Sequence, residues 1–437
     1  MERARRVSLD VLYNAVPFAG QVGGEIESMT YTDSAADNSD EISVTINARD
    51  EKWLAGWLPE KGATLRGRVY GLDWENEGDR RTMECGLFTL DDVEYSDAPN
   101  TLSVSGASKP NESSFSETER KAVWKNTSVK RIGTTIAERY GLGFTYDAED
   151  YDIDANEQDD TDSSYYNKLC KTYGLVLKVY AKRLWVYDRE AYKEKRAVRK
   201  FRRSEIKPGT LRYTTTLSGT CTGGNFTYTN ASKGIDIACG IGEGPRVKNY
   251  NERASSTADA AVKLCAALNN ANHGAVKLRF SVEGCWDVSA ATCIEIAGYG
   301  ALSGKYFVDK ATHSFTRSGG FTTALECSGI GKAFHHWDVG GTIDYNPAAK
   351  EDTTSAENAA SDAAGGTQGQ TVSLSNTPLY ISSTAGTAAG HKSGTYYLYD
   401  GKLINGRYRI TNTAERCGKL PVVQNVTGWI DASAIGG

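Results

Sequence analysis

Between residues 7 and 106 apolar and polar positions alternate. Ile42, Val44 and Ile46 are separated by polar residues, Leu65 to Val69 and Leu87 to Leu90 repeat the pattern, and Leu102 and Val104 close it. A period of two places successive side chains on opposite faces of a half-buried sheet. From about 107 to 205 the period changes. Ser128 is placed to cap a helix on which Val129, Ile132, Ile136 and Tyr140 share a face, with Gly141 as its stop. Asp162 or Ser163 opens a second helix through Tyr166, Leu169, Cys170 and Tyr173 to Gly174, and the segments LVLKVY and RLWVYD that follow predict a hairpin.

Strands return over 206–339, interrupted by a helix behind Ser256 or Thr257 that carries Ala261, Leu264, Cys265 and Leu268 and ends near Gly274. Residues 340–371 are rich in Ala, Gly, Ser, Thr, Asp and Glu and almost free of large apolar side chains, which predicts a flexible linker. Residues 372–437 regain Tyr, Trp and alternation and predict a small β domain. The expected fold class is mainly β with an α+β insertion. Its parts are a first β-barrel over 1–106, an inserted α+β module over 107–205, a second β-barrel with one helix over 206–339, the linker, and a small C-terminal barrel over 372–437.

The two barrels are expected to be related, because their closing hairpins are similar. Gly86-Leu-Phe88-Thr-Leu90-Asp91-Asp-Val93-Glu-Tyr95-Ser96 leads into Thr101-Leu-Ser-Val104-Ser-Gly106; Gly304-Lys-Tyr306-Phe-Val308-Asp309-Lys-Ala311-Thr-His313-Ser314 leads into Thr323-Ala-Leu325-Glu-Cys-Ser328-Gly329. Upstream, Gly62-Ala-Thr64-Leu aligns with Ala290-Ala-Thr292-Cys. The Asp and Ser at matching offsets exceed what alternation requires. Three chains carrying such a duplication would present six similar barrels around one axis, turning threefold into quasi-sixfold symmetry.

Composition bears on these expectations in two places. The 45 Gly and 24 Tyr against 9 Pro and 3 Met in 437 residues fit a chain in which strands and glycine turns outnumber helices. The formal charge is only −5, so no whole-molecule field draws nucleic acid or membrane, but that total conceals local runs. Residues 147–162 hold nine acids and no base; residues 178–203 hold eleven bases against three acids. Calcium-loop spacing fails in the acidic run, since a start at Asp150 puts Ala155 at the glycine position and Thr161 at the bidentate Glu position. A solvated acidic loop and a charge-complementary contact remain. For the basic run the alternatives are an interface, a solvated surface, or single-stranded nucleic acid stacked on its aromatics, although Trp185 and Tyr187 are already explained as strand core. Candidate inter-subunit charge contacts are Asp150, Asp152, Asp154, Asp159 and Asp160 with Lys182, Arg183, Arg199, Arg202 and Arg203.

No catalytic, metal or cofactor signature emerges. The nine Cys include no C-x-x-C pair and sit mostly among apolar neighbours, and the five His form no H-E-x-x-H. Apolar runs are too short to span a bilayer and the polar start lacks a signal-peptide core, so a cytosolic origin is expected.

Several segments in order, SLDVLYNAVPF, ESMTYTDSAADNSDEISVTINARDEKWL, ETERKAVWKNTSVKRIGTTIAERYGLGFTYD, DTDSSYYNKLCKTYGLVLKVYAKRLWVYDR and GYGALSGKYFVDKATHSF, resemble the phage late control protein D family, the baseplate hub of contractile phage tails and related particles. The resemblance covers about residues 1–335. It implies tube-type barrels, a homotrimer joining a hexameric tail tube to a trimeric spike, and a channel for tape measure protein or DNA. Tail tube protein, spike protein and other baseplate proteins would be its partners. It also implies no enzymatic activity, no cofactor, and a place in the tail baseplate of a virion or particle assembled in the bacterial cytoplasm. The C-terminal segment resembles a bacterial SH3-like barrel, with Tyr396, Tyr397, Tyr399 and Trp429 as stacking surfaces and Asp400 and Arg407 as polar contacts for peptidoglycan or a baseplate protein. The competing reading is a cell-wall hydrolase or wall-binding protein targeted by that domain.

Overall fold

The computed structural model describes residues 5–17, 25–36, 39–50, 52–108, 114–230, 235–317, 320–340, 366–381, 383, 385, 388–419 and 422–435. Most of the predicted linker, residues 341–365, lies outside the described residues. The chain is mainly β and divides into two compact units: residues 1–220 with 266–333, and residues 221–265 with 334–437. The boundary falls inside the helix Thr257–Asn272. Ser256 caps that helix, its hydroxyl accepting from Asp259 N at 3.1 Å.

One 13-stranded sheet dominates the first unit. Two strand sets occur in it in the same order. In the first, Thr64–Leu72, Arg80–Asp97, Asn100–Ala107, Glu41–Asn47 and Ile26–Ser34 are successive neighbours; in the second, Cys293–Ala297, Gly304–Thr316, Gly320–Gly329, Val276–Glu283 and Arg212–Thr215 are. The sets join antiparallel through Ile26–Ser34 and Gly304–Thr316, with Lys310 opposite Ser34 and Thr316 opposite Ser28.

The likeness extends to irregularities. The first set has a bulge between Leu90 and Asp92, the second between Val308 and Lys310, so Asp91 and Asp309 are the displaced residues. At that bulge Leu90 N donates to Ala63 O and Gly62 N to Leu90 O; in the second set Val308 N donates to Thr292 O and Ala291 N to Val308 O, all at 2.8–2.9 Å. Gly62 and Ala291 both have positive φ, 84° and 61°. Glycine takes that conformation freely, whereas alanine does so at a cost. These bonds equate Gly62 with Ala291, and strand pairing equates Leu65 with Ile294. The alignment of Gly62 with Ala290 expected from sequence is therefore off by one. The closing strands also shift, since Leu90 faces Gly106 where Val308 faces Cys327. Alternation alone tolerates such slips, because only paired hydrogen bonds fix register. Buried side chains follow the corrected match: Ile42, Val44, Leu65, Leu90 and Val104 fill one core, and Leu278, Phe280, Ile294, Val308 and Leu325 the other.

The inserted segment forms helices Val129–Arg139 and Asp162–Thr172 with strands Glu119–Ser128, Gly143–Asp147, Asp152–Thr161, Leu175–Tyr180 and Arg183–Asp188. Ser128 caps the first helix, its hydroxyl accepting from Arg131 N at 3.2 Å. The second is capped by Thr161, one residue before the expected positions, with Ser164 N donating to its hydroxyl at 3.2 Å. Leu175–Tyr180 and Arg183–Asp188 form the expected hairpin, whose two-residue turn places Ala181 and Lys182 at positive φ. Gly133 lets the helices close: a Cβ there would lie 2.0 Å from the Tyr166 hydroxyl.

In the second unit, Gly223–Asn230, Ile235–Gly242 and Val247–Tyr250 make a separate three-stranded sheet rather than extending the second strand set. Thr371–Leu379, Gly390–Ile404, Arg407–Thr411 and Gly428–Asp431 make a four-stranded sheet around Val372, Leu374, Leu398, Tyr408, Ile410 and Ile430. Eight of the nine Cys are buried and all are unpaired.

Candidate functional site

The most unusual chemistry lies where the inserted segment meets the strand joint. Leu175–Tyr180 carries Lys178, whose ammonium is buried with two carboxylates: it binds Asp33 Oδ1 and lies 3.3 Å from Asp40 Oδ1. Backbone donors complete the cluster, Ser34 N reaching Asp40 Oδ1 at 2.9 Å and Ala290 N reaching Asp33 Oδ2 at 2.8 Å. One lysine thus ties the first strand set to the inserted segment, and one aspartate ties both to the second. Two carboxylates share one buried cation, a costly arrangement unless one is protonated. Burial pushes the Asp40 carboxyl up to about 7; Lys178 opposes the rise and Asp33 adds to it. His313, stacked on Tyr31 with ring centroids 5.8 Å apart, is driven down to about 4 by burial and stays neutral near pH 7. Beside the cluster opens a cavity of about 640 Å³ lined by Tyr31, Lys178, Tyr180, Trp185, Trp286 and His313, among others.

The sequence singled out Lys178 only as one of eleven bases. Lys178 shares a strand face with Val176 and Tyr180, but Leu175, Leu177 and Val179 make the opposite face apolar too, so alternation did not show which face is buried, and a lysine is ordinarily on the wet one.

The two charged runs meet less than their signs suggest. Asp147 reaches Lys195 at 3.6 Å and accepts from the Tyr192 hydroxyl. Residues 152–161 of the acidic run instead pair as a strand with Glu119–Ser128. Asp159 lies opposite Lys121, Asp160 opposite Arg120, and Ala155 opposite Lys125. Asp162, wholly buried, draws Arg139, Tyr140 and Gln158 to its carboxylate. Burial raises that carboxyl, but these hydrogen bonds outweigh it and hold it below the usual range. Asp160 accepts from Lys168, Ser164 and Thr161 N, which hold its carboxyl down at about 2. Asp150 accepts from Lys130 N at the helix start, and Asp152 and Asp154 are exposed on their strand. Among the bases, Lys182 is exposed in the hairpin turn, Arg183 donates to the Thr145 hydroxyl, and Arg199 binds Asp287 and Glu205. Arg202 is exposed, and Arg203 lies over the Tyr299 ring.

The C-terminal candidates point largely inward. Tyr399 and Trp429 are buried, Tyr396 and Tyr397 half-buried. The Tyr399 hydroxyl donates to Lys419 O. Asp400 is paired with Arg409 at 3.0 Å, and Arg407 binds Asp431 at 2.7 Å while lying 3.4 Å over the Tyr380 ring. Of the six, Tyr396 packs against the core around Leu398 and Trp429 lies under Arg409, while Tyr399, Asp400 and Arg407 make the internal contacts just given.

A Ser–His–Asp grouping also occurs. His273 Nε2 lies 2.9 Å from Asp309, with the Ser328 hydroxyl 3.5 Å from His273 Nδ1 and 3.4 Å from Asp309. Ser328 is almost fully buried and bonds the carboxylate directly, so the geometry closes an internal network around the bulge rather than presenting a nucleophile. Among the described residues no group of three or more His, Cys, Asp or Glu is placed to hold a metal ion, and no helix is long and apolar enough to cross a membrane.

No family model and no curated protein sequence matches the chain. Solved structures do. A tail protein from Neisseria meningitidis MC58 superposes with a TM-score of 0.56 at 12% identity over 74% of this chain and 96% of that one. The 43 kDa tail protein of prophage MuSo2 from Shewanella oneidensis gives 0.55 at 12% identity, covering 73% and 97%. The chain therefore has the β-rich fold seen in phage tail proteins.

Proposed function

We propose that this chain is a structural baseplate hub of a contractile phage tail or tail-like particle, working as a homotrimer between a hexameric tube and a trimeric spike. The observation that carries the reading is the repeated strand set, with its matching order, bulge and left-handed residue. Two related barrels per chain let three chains offer six near-equivalent surfaces to a sixfold partner while keeping threefold identity towards a threefold one. The tail-protein fold supports this reading. The tube-type barrels, the channel for tape measure protein or DNA, and the location in the baseplate belong to the same proposal. The C-terminal sheet is read as an SH3-like appendage that contacts peptidoglycan or another baseplate protein. The chain acts by assembly rather than by catalysis.

The mass of the purified chain, alone and mixed with tube and spike proteins from the same particle, tests this. Three copies per complex are expected. Clearing of a peptidoglycan gel by the purified protein would transfer the chain to the hydrolase class.

A further inference from the structure

The internal joint between the strand sets provides a template for the contact between copies, and this inference rests on the trimeric reading. Within the chain, residues 310–316 of the second set pair on one side with Gly320–Gly329 and on the other with Ile26–Ser34 of the first. Their equivalents, residues 92–97, pair among the described residues with Asn100–Ala107 on one side only. The equivalent of Ile26–Ser34 is Arg212–Thr215, which ends the sheet and is exposed along its whole length. Among the described residues neither half of this second joint has a strand partner. Open edges of this kind are templates for pairing with another chain.

A loop repeats the asymmetry. Ala48 N donates to Asn100 O at 2.9 Å and Gly284 N to Phe321 O at 2.8 Å, so the loops that begin there are equivalent. The second-set loop folds Trp286 onto Gly71, where a Cβ would meet the indole at 2.5 Å. The first-set loop leaves Leu54, Trp57 and Leu58 62%, 42% and 50% exposed, with Trp57 meeting the Trp53 ring and the Lys52 ammonium. Counting on from Ile294, Gly300 falls at the number that matches Gly71, in the turn beyond the strand, and a Cβ there would meet no described residue within 4 Å.

We infer that a second copy of this chain docks by repeating the internal joint: residues 93–96 of one copy add to Arg212–Thr215 of the next. Tyr95 then faces Tyr213, and Leu54, Trp57 and Leu58 cover the turn at residues 298–302. The register is that of His313 opposite Tyr31. Charge agrees with it. Asp91, Asp92, Glu94 and Asp97 line one edge, and Arg212 with neighbouring Lys277 the other.

Pairing Tyr95→Cys with Tyr213→Cys in the full chain and adding a short thiol cross-linker tests the register, since facing residues lie about 5 Å apart. The double variant is expected to cross-link into dimers and closed trimers, while either single variant, and Tyr95→Cys combined with Leu217→Cys, stay uncoupled. A trimer by mass that fails to cross-link would overturn the register yet leave the hub reading intact. A chain that stays monomeric, even with tube and spike proteins present, would overturn both. Replacing Trp57 and Leu58 by alanine should weaken trimer formation by at least about tenfold with an unchanged urea midpoint; undiminished trimer would remove the loop from the contact.

Discussion

Tyr31 and Tyr213 hold equivalent positions in the two strand sets, and their surroundings differ. Tyr31 is buried between His313 and Phe88, at ring separations of 5.8 and 6.0 Å, beside a carboxylate–lysine cluster. Tyr213 lies on an open edge, 37% exposed, and Thr215 stands where the first set has Asp33. The two sets share strand order and bulge while each equivalent tyrosine has its own environment. The internal copy is sealed by burial and an ion cluster drawn from three segments. The other copy leaves Arg212, Tyr213, Thr214 and Thr215 exposed on its edge strand.

The comparison breaks most sharply at Lys178. Lys178→Met leaves Asp33 and Asp40 buried without their cation and should cost about 3–5 kcal/mol in urea unfolding. A loss under about 1 kcal/mol would mean the cluster does not hold the internal joint.

Gly284 and Ala48 offer a second break, because they are equivalent yet differ in space. A Cβ on Gly284 would lie 1.8 Å from the Phe321 ring, so Gly284→Ala should cost about 2–3 kcal/mol. Ala48→Gly should cost only about 1 kcal/mol, for one lost methyl and added chain freedom. Equal costs, measured as thermal shifts, would argue against the assigned equivalence.

The pH dependence sharpens the same contrast. Folding raises the Asp40 pKa from 3.8 to about 7, so the folded state holds a proton that the unfolded chain releases. This contribution is full below about pH 4 and is lost as pH rises through about 7. His313 acts oppositely: lowered from 6.5 to about 4, it withdraws stability as pH falls across that interval. The neighbouring Tyr31 and Cys85 are pushed upward by burial and stay neutral throughout, so above pH 6.5 this cluster's share of the slope belongs to Asp40. Asp40→Asn keeps an acceptor for Ser34 N and should flatten stability between pH 6 and 8; an unchanged slope would assign it to another group.

Strand and helix positions were legible because they are local. Alternation placed Ile42, Val44 and Ile46 on one face whatever they would pack against, and Ser128, Gly141 and Gly174 act within a turn of the chain. The repeat was legible too, through Asp91 and Asp309, the residues displaced at the two bulges. The candidate site was not. Whether Lys178 faces water or two carboxylates depends on Asp33 and Asp40, some 140 residues earlier in the chain. The acidic run pairs with Arg120 on Glu119–Ser128, with Arg139 and Lys168 on the two helices and, among the described residues, with only Lys195 of the basic run, since packing and register, rather than the nearest stretch of opposite sign, decide which charges meet. The sequence by itself determined which segments become strands and that two groups of them are alike. Only tertiary structure decided their register, the burial of one lysine, and which edges stay open, because those depend on hydrogen bonds and desolvation between segments far apart in the chain.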